Sequence, residues 1–390
     1  MEDWKEYKLK DVAYLTSGFP FDGHKYGKDG VRVVRGDNVT IGSLRWDSEK
    51  DKRWSEPFER ASEYSLMADD IVIGMDGSRV GKNRAQVKAS DLPLLLAQRV
   101  ACVRHNELSI QSFLYYQIFN DKFEKYIKAV QTGTSIPHVS LKQIGDYPIM
   151  LPPLAVQYKF SDILKSLDDK IECNRRINEN LEQQAQALFK SWLNNCQDEV
   201  SIGDLALNIT DYTKCNHDQV VLVNSSDVTE GHFDHHILSP NNNLKGHFKK
   251  RFQKGDILYS QVRPRNRHWG YCTFNADNYL ASTQLMVIRN KEDIIPSILL
   301  YQYIIDDKVW MDFTLKTETR SGTFPQGNYE DLSSIKVPFC ADNNRISQSL
   351  DRLYSIIYNN ELESRRLAEL RDTLLPKLMS GELKVENVTF

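Results

Sequence analysis

The segment Ala-Asp-Asp-Ile-Val-Ile-Gly at residues 68–74 returns as Lys-Gly-Asp-Ile-Leu-Tyr-Ser at residues 254–260. Three further segments recur in the same order along the chain: residues 9–13 at 202–206, residues 112–117 at 297–302, and residues 132–137 at 320–325. The offset of about 190 residues is far longer than the period of a solenoid repeat. The sequence therefore predicts two domains of one fold, related by pseudo-twofold symmetry.

The composition limits the classes of protein to which the chain can belong. Its 390 residues are enough for two domains, each with its own core. A net charge of −3 argues against a uniformly basic coat for nucleic acid but leaves room for local basic patches. The six cysteines show no paired spacing, and neither a secretory leader nor an apolar run of membrane-spanning length is evident. We therefore expect a cytoplasmic protein with no membrane partner.

The first half of the chain has the pattern of a strand-rich domain. Short β-type segments punctuated by glycine, such as Val31–Val34, predict a mixed domain over residues 1–151. An amphipathic helix is predicted from Ile110 to Ala129. Pro152 and Pro153 then mark a domain boundary, because proline lacks a backbone donor and is tolerated only in the first turn of a helix.

After this boundary the apolar period becomes that of one long helix, predicted from Ala155 to Leu193. Its seam positions, spaced by threes and fours, include Leu164, Leu167, Ile171, Asn174, Leu181 and Leu188. The second half repeats the pattern in a final helix that Pro376 and Gly381 are expected to end, with a seam of Leu350, Leu353, Ile357, Asn360, Leu367 and Leu374. Each helix has one apolar stripe, and the other helix is its simplest partner.

These patterns predict an α+β fold in which two similar strand-rich domains are separated by two long antiparallel coiled-coil helices, with pseudo-twofold symmetry. Asn174 and Asn360 fall near the middle of the seams, where a buried amide can fix the register of a coiled coil. A solvent-facing position for both is the alternative. The predicted bounds are 1–151 for the first domain, 152–196 for the central helix, 197–339 for the second domain, 340–380 for the C-terminal helix and 381–390 for a tail.

Basic residues cluster around the same strand in both halves, after it in the first half and on either side of it in the second. They are Arg79, Lys82, Arg84 and Lys88 in the first half, and Lys249, Lys250, Arg251, Arg263, Arg265 and Arg267 in the second. Arginine can read guanine edges with two hydrogen bonds and lysine can neutralise phosphate, so these ten residues are our predicted DNA contacts. A solvated surface carries similar runs of charge, and the sequence leaves both interpretations open.

The apparent enzyme motifs do not hold. Gly81-Lys82 resembles the end of a phosphate-binding loop, but Asn83 replaces the required Ser or Thr and Asp76 replaces the first glycine. The Asn-Pro-Pro-aromatic motif of adenine methyltransferases does not occur. The residues of metal-binding type match no common zinc-finger spacing; they are Cys215, His217, His232, His235 and His236. We therefore predict neither a catalytic residue nor a metal site.

Taken in order and in duplicate, these segments resemble the specificity subunit of a type I restriction-modification enzyme. The most similar pieces are residues 69–78, Leu95–Val100 and Thr132–Gln157, and the resemblance spans nearly the whole chain. It implies two target recognition domains, each of which reads one half of a bipartite, asymmetric DNA site. It also implies that the two long helices set the unread spacer and dock the modification subunits.

The same resemblance implies the partners and cofactors. Double-stranded DNA and two modification subunits would bind the chain, and a restriction subunit can join them. S-adenosylmethionine would be held by the modification subunits, so this chain would bind no cofactor and carry out no chemistry. The alternatives are a coiled-coil scaffold with two protein-binding heads and a fused restriction-modification enzyme. The missing methyltransferase motif and the lack of length for a catalytic domain count against the fused enzyme.

Overall fold

The computed structural model describes residues 4–133, 136–234, 236–242, 244, 246–319, 325–380 and 382–383. The chain divides into two compact units. Unit 1 consists of residues 1–171 and 365–390, and unit 2 consists of residues 172–364. Each unit thus contains one strand-rich domain together with one stretch of each long helix.

Unit 1 combines β-sheets with short helices. Its strands are β1 (Lys5–Lys8), β2 (Ala13–Ser17), β3 (Val31–Val34), β4 (Ile41–Gly42), β5 (Arg53–Trp54), β6 (Ile71–Gly74), β7 (Arg84–Gln86), β8 (Leu94–Leu96), β9 (Val100–His105) and β10 (Pro148–Leu151). Its helices are α1 (Leu9–Val12), α2 (Ala61–Tyr64), α3 (Gln111–Ile118), α4 (Asp121–Val130), α5 (Leu141–Gly145) and the first part of α6 (Leu154–Leu193). One sheet has the order β2–β9–β6–β7–β4, a second has the order β5–β3–β8, and β1 pairs with β10.

The main core of unit 1 attaches the long helix to the strand-rich domain. All four residues of β6 are buried, as expected for a short, uninterrupted apolar run at the centre of a sheet. Phe113 of α3 and Phe123 of α4 share one cluster of buried side chains with Phe160 and Leu164 of α6. Burial of each such side chain stabilises the fold by about 1.5 to 3 kcal/mol. The start of α6 is therefore held to the domain by apolar packing.

Unit 2 is built in the same way. Its strands are β11 (Asp198–Ser201), β12 (Ala206–Asn208), β13 (Gln219–Val223), β14 (Val228–Thr229), β15 (His232–Phe233), β16 (Leu238–Pro240), β17 (Phe248–Lys250), β18 (Ile257–Ser260), β19 (Trp269–Tyr271), β20 (Tyr279–Ser282), β21 (Leu285–Asn290) and β22 (Lys336–Phe339). Its helices are α7 (Ile202–Leu205), α8 (Ser297–Ile305), α9 (Asp307–Glu318), α10 (Tyr329–Ser333) and the first part of α11 (Asn344–Ser380). The sheets have the orders β12–β21–β18–β19 and β16–β13–β20–β17, and β11 pairs with β22 and β14 with β15.

The duplicated segments form equivalent elements in the two units. In unit 1 the carboxylate of Asp70 accepts hydrogen bonds from Arg104 at 2.8 and 2.6 Å, just before β6. In unit 2 the carboxylate of Asp256 accepts hydrogen bonds from Arg289 at 2.6 and 2.7 Å, just before β18. Both aspartates are buried. The two units therefore share an equivalent strand, and in each unit a buried aspartate that is paired with an arginine stands just before that strand.

The helix predicted from Ile110 to Ala129 is two helices. Between α3 and α4, the side chain of Asn120 accepts a hydrogen bond from the backbone N of Phe123 at 3.0 Å. Between α8 and α9, Asp306 accepts one from the backbone N of Lys308 at 3.0 Å. Asn and Asp favour the N-cap over the helix interior, because their side chains satisfy free amides there. The prediction of one continuous helix from Ile110 to Ala129 was therefore wrong, and unit 2 has the same break.

The long helices match their predicted extent to within a few residues. Helix α6 begins one residue before the predicted Ala155 and ends at Leu193. Helix α11 ends at Ser380, as the predicted bound of 340–380 has it, and Pro376, which was expected to end the helix together with Gly381, lies inside it. Leu378, beyond the proline, is buried in the main core of unit 1, and this packing holds the last turn. Gly381, the other predicted terminator, lies outside the described residues.

The two long helices are antiparallel within unit 2, where asparagines lie in their seam. Asn174 is 1% exposed, and its Nδ2 donates to Oε2 of Glu363 at 2.7 Å. Four residues further along α6, Oδ1 of Asn178 accepts from Nδ2 of Asn360 at 2.8 Å. Residue numbers thus rise on one helix as they fall on the other. Asn174 lies in the seam rather than in solvent, and its amide is hydrogen-bonded, as a register-setting residue requires.

The predicted seam positions differ in burial. Those that are fully buried are Leu164, Leu167, Leu350 and Ile357, and those that are half-buried are Ile171, Leu181, Leu353, Asn360, Leu367 and Leu374. Leu188, which we assigned to the seam, is instead 43% exposed. After Leu181 the buried positions advance by four residues, to Ala185 and then to Phe189, and both side chains are buried. Phe189 therefore takes the place that the pattern gave to Leu188.

A disulfide joins two cysteines that the spacing did not indicate. Cys196 follows α6, and Cys340 follows β22. Their Cα atoms are 5.0 Å apart, although 144 residues separate them in the chain. Cys102, Cys215 and Cys272 are buried as thiols. A pairing at such a sequence separation depends on the fold, so it cannot be read from the order of cysteines alone.

Candidate nucleic-acid interface

Three loops meet beyond the end of β6 in unit 1. The backbone N of Met75 donates to the carbonyl of Arg99 at 2.9 Å, and the N of Gly77 donates to the carbonyl of Pro137 at 3.0 Å. The N of Val139 returns a hydrogen bond to the carbonyl of Met75 at 2.8 Å. These bonds are made by main chain alone, so they fix the shape of the surface whatever side chains it carries.

The same frame occurs beyond the end of β18 in unit 2. The backbone N of Gln261 donates to the carbonyl of Gln284 at 2.9 Å, and the N of Arg263 donates to the carbonyl of Pro325 at 3.1 Å. The N of Gly327 donates to the carbonyl of Gln261 at 2.8 Å. Each bond has its counterpart in unit 1. The recurring segments that lead into the third loop include Thr134, Ser135 and residues 320–324, which lie outside the described residues.

We call this arrangement the loop platform of each unit. The platform of unit 1 consists of residues 75–79, 98–99 and 137–139. The platform of unit 2 consists of residues 261–263, 283–284 and 325–327. The sequence already indicated that these loops correspond, because they occupy equivalent places in the two copies. Only the fold shows that three loops, distant in the chain, come together.

The platform of unit 1 presents charged and polar side chains to solvent. Arg99 is the most prominent, since its side chain is 72% exposed and its guanidinium forms an ion pair with Asp76 at 3.0 Å. The backbone of Arg99 is left-handed, with φ of 64°, a conformation that costs free energy and is found most often at functional sites. Nε2 of His138 lies 2.9 Å from Oγ1 of Thr132. Arg79 is exposed beside them.

The platform of unit 2 carries different side chains on the same backbone frame. Gln284 stands where unit 1 has Arg99, and Gln326 stands where unit 1 has His138. Both glutamines are exposed, as is Arg263, whose backbone is left-handed with φ of 49°. Arginine and glutamine are the side chains that pair bidentately with guanine and adenine in the major groove. The two platforms thus present related but different sets of hydrogen-bonding side chains.

Among the basic residues predicted in unit 1, one is not at the surface. Arg84 is 9% exposed, and its guanidinium lies 5.6 Å from the ring centres of both Phe119 and Phe123. Burial lowers the pKa of this guanidinium. Arg84 therefore stabilises the domain interior, and we remove it from the set of DNA contacts. The exposed members of the predicted set are Arg79, Lys82 and Lys88.

The basic run in β17 of unit 2 also divides between surface and interior. Lys249 is exposed, whereas Lys250 is buried and donates from Nζ to the carbonyl of Leu285 at 2.7 Å. Successive side chains of a strand point to opposite faces, so two adjacent lysines cannot share one surface. Arg251 is half-buried and donates to the carbonyl of Asp277 at 2.6 Å. We therefore remove Lys250 from the predicted DNA contacts.

The three arginines that follow β18 have different surroundings. Arg265 forms two hydrogen bonds with the carboxylate of Glu318, at 2.5 and 2.8 Å. Arg267 pairs with Asp307 at 3.1 Å. Both acidic partners lie in α9, far along the chain, so these pairs could not be predicted from the sequence. Arg263 belongs to the platform, whereas Arg265 and Arg267 contact acidic side chains of their own domain.

The part of the chain that the structure describes holds neither a cluster of metal-ligating side chains nor a membrane-spanning helix. There, no group of three or more His, Cys, Asp or Glu side chains is placed to hold a metal ion. Nδ1 of His236 lies 2.8 Å from the hydroxyl of Tyr279, and His232 contacts carboxylates, so these two histidines have other roles. His235 lies outside the described residues. Over the same residues, every helix lacks the apolar length that crossing a membrane would need.

Comparison with known proteins identifies the family. The family model described as "Type I restriction modification DNA specificity domain" matches residues 1–183 and again residues 201–371. The specificity subunit of the type I restriction enzyme HindI from Haemophilus influenzae is 36% identical over 140 residues, which cover 36% of this chain and 30% of that protein. The MjaIX specificity subunit from Methanocaldococcus jannaschii is 22% identical, and the match covers 99% of this chain and 95% of that protein.

A solved structure shares the fold. The S subunit of a type I restriction-modification system from M. genitalium superposes with a TM-score of 0.58 at 15% sequence identity, over 96% of both chains. The family match covers most of the chain and occurs twice, once over each strand-rich domain, as the internal repeat requires. The chain therefore belongs to the family of type I restriction modification DNA specificity domains and contains two of them.

Proposed function

We propose that the chain is the DNA-reading specificity subunit of a type I restriction-modification complex. Each strand-rich domain is then a target recognition domain that reads one half of a bipartite site. One observation carries this proposal. The two loop platforms share their main-chain hydrogen bonds, residue for residue, but differ in their side chains. A shared main-chain geometry with different side chains would allow the two domains to bind DNA in the same way but to recognise different base sequences.

The side chains of the platforms indicate how the two half-sites differ. In unit 1, Arg99 and Arg79 suit guanine, whose O6 and N7 accept two hydrogen bonds from one guanidinium. In unit 2, Gln284 and Gln326 suit adenine, whose N6 and N7 pair with a carboxamide. Each such pair discriminates against a wrong base by about 1 to 3 kcal/mol. The recognised site is therefore asymmetric, with at least one G·C pair in the half read by unit 1 and one A·T pair in the other.

The long helices supply the remaining parts of the proposed function. They connect the two recognition domains in the chain and so set the unread spacer. Apolar side chains that remain exposed along them suit the docking of two modification subunits; these are Leu154, Tyr158, Ile177, Leu188, Ile356 and Leu370. The modification subunits would hold S-adenosylmethionine and methylate adenine, and a restriction subunit can join the complex. This chain would then act without catalysis, in the cytoplasm, where the DNA lies.

The two alternative functions receive less support. A fused enzyme needs a methyltransferase motif, and the sequence has no Asn-Pro-Pro-aromatic segment. A scaffold with two protein-binding heads would not need two equivalent platforms of base-reading side chains. The match of the DNA specificity family to both domains also favours the DNA-reading function.

Selection from a random DNA pool tests the proposal. The purified complex of this chain with its modification subunits should enrich one bipartite, asymmetric motif. Arg99→Gln should change the preferred base at one position of one half-site, and Gln284→Arg should change one position of the other. Arg60→Gln is the matched control and should leave the motif unchanged, because Arg60 is an exposed arginine that precedes α2 and is not one of the platform residues. Recovery of DNA without any shared motif would refute the proposal.

A further inference from the structure

His232 joins its recognition domain to both long helices in unit 2. It lies in β15, and its Nδ1 is 2.7 Å from Oε1 of Glu361 in α11. Its Nε2 is 3.4 Å from Oε1 of Glu182 in α6. The hydrogen bond with Glu361 raises the pKa of His232 to about 9, so the imidazolium is charged at neutral pH and donates towards both carboxylates.

The hairpin that carries His232 is held firmly in place. Its turn, at Glu230 and Gly231, has left-handed backbone at both residues. The N of Gly231 donates to the carbonyl of Trp269 at 2.9 Å, which ties the hairpin to β19. A Cβ atom at Gly231 would lie 2.3 Å from the hydroxyl of Tyr301 in α8. The hairpin thus packs closely on α8, and His232 reaches the helices from a fixed base.

Unit 1 has a second polar triad that links its domain to the long helices. The hydroxyl of Tyr116, in α3 of the recognition domain, donates to Oδ2 of Asp168 in α6 at 2.7 Å. Nη1 of Arg371 in α11 donates to Oδ1 of the same carboxylate at 2.7 Å. Burial and the charge of Asp168 raise the pKa of Tyr116, so its hydroxyl remains a donor. Tyr116 is therefore bonded to α6 directly, and to α11 only through the carboxylate of Asp168 that Arg371 shares.

The two triads differ in chemistry and in which residue is central, although each joins a domain residue with one residue of α6 and one of α11. In unit 2 a cation lies between two carboxylates, Glu182 and Glu361. In unit 1 a carboxylate lies between a hydroxyl and a guanidinium. Each can therefore be weakened separately by a substitution that removes a hydrogen bond and little volume.

We infer that the two triads are positioning devices that fix the angle of each recognition domain on its stretch of the helix pair, and so restrict the complex to one spacer length. The inference rests on the proposed function. One added base pair moves a half-site by about 3.4 Å along the duplex and turns it by about 35°. A domain free to pivot on the helices could follow such a displacement. A domain that the triad links to both helices cannot follow it, so the complex does not bind DNA whose spacer has the wrong length.

Methyl transfer to duplexes of different spacer length tests the inference. The complex with its modification subunits is given DNA that carries both half-sites, separated by the native spacer or by one base pair more or fewer. His232→Gln and Tyr116→Phe should each lower the preference for the native spacer by about tenfold, since each removes a hydrogen bond to a charged group. The matched controls are His217→Gln and Tyr14→Phe, which alter exposed residues of the same types.

The outcomes are separable. A variant that loses activity equally at every spacer length, with an unchanged preference, would overturn the inference, because the triad would then support folding alone. If His232→Gln does not fold, as judged by thermal unfolding, Glu361→Leu removes the acceptor of the same bond from the other side and must show the relaxed preference. A wild-type complex without preference for any bipartite site would instead refute the proposed function itself.

Discussion

Replacing Asp256 with Asn is expected to lower the free energy of unfolding of unit 2 by about 3 kcal/mol or more. The carboxylate is 1% exposed and accepts hydrogen bonds from Arg289 at 2.6 and 2.7 Å. Its Oδ2 also accepts one from the backbone N of Gln253 at 2.8 Å. Breaking a buried ion pair costs about 3 to 5 kcal/mol, because the remaining charge is left unpaired. Arg289 is 27% exposed and keeps some access to water, so the lower end of this range applies.

Chemical denaturation combined with hydrogen exchange would measure this effect. The Asp256→Asn variant should lose amide protection within residues 172–364, whereas unit 1, with its own pair of Asp70 and Arg104, should keep its protection. Glu318→Gln is the control, since it breaks an exposed ion pair with Arg265 and should change stability little. If Asp256→Asn lowers the free energy of unfolding by less than about 1 kcal/mol, the reasoning is refuted, because an exposed ion pair contributes that much. Equal loss of protection in both units would refute it as well.

Three further predictions concern the helices, the pH response and DNA binding. In denaturant titrations Phe189→Ala should cost about 3 to 5 kcal/mol and Leu188→Ala less than about 1 kcal/mol, and equal costs would contradict the seam described here. The stabilising contribution of His232 should be complete below pH 6.5 and lost as the pH rises through about 9, so thermal unfolding of His232→Gln should lack this alkaline loss. In binding titrations at several salt concentrations Lys88→Ala should reduce the slope of log affinity against log salt by about 1, whereas Lys250→Met should leave that slope unchanged.

The repeat and the long helices could be predicted because they depend on local patterns. The apolar period of a 40-residue helix is visible in the sequence, and Leu154–Leu193 matches its predicted extent closely. The order of recurring segments likewise required only comparison of the chain with itself. Leu188 was misplaced because a heptad pattern does not fix which of two adjacent apolar residues faces the partner. In the structure, packing selects Phe189.

The candidate DNA contacts were less accessible to sequence reasoning. A run of basic residues does not show which side chains face solvent, and both Arg84 and Lys250 point to the interior. Arg267 was predicted as a contact because its partner, Asp307, becomes its neighbour only in the fold. Arg99 was missed because it stands alone in an apolar segment, away from the basic clusters. Its equivalence to Gln284 becomes evident from the main-chain bonds of the two platforms.

The methylome of the host tests the central claim most directly. Long-read sequencing would compare cells that carry the intact gene with cells from which it is deleted. Our account predicts one asymmetric, bipartite motif with methyladenine, which disappears on deletion and returns on complementation. Complementation with the Arg99→Gln variant should restore a motif altered at one position of one half only. An unchanged methylome after deletion, in cells that express the modification subunits, would contradict the account.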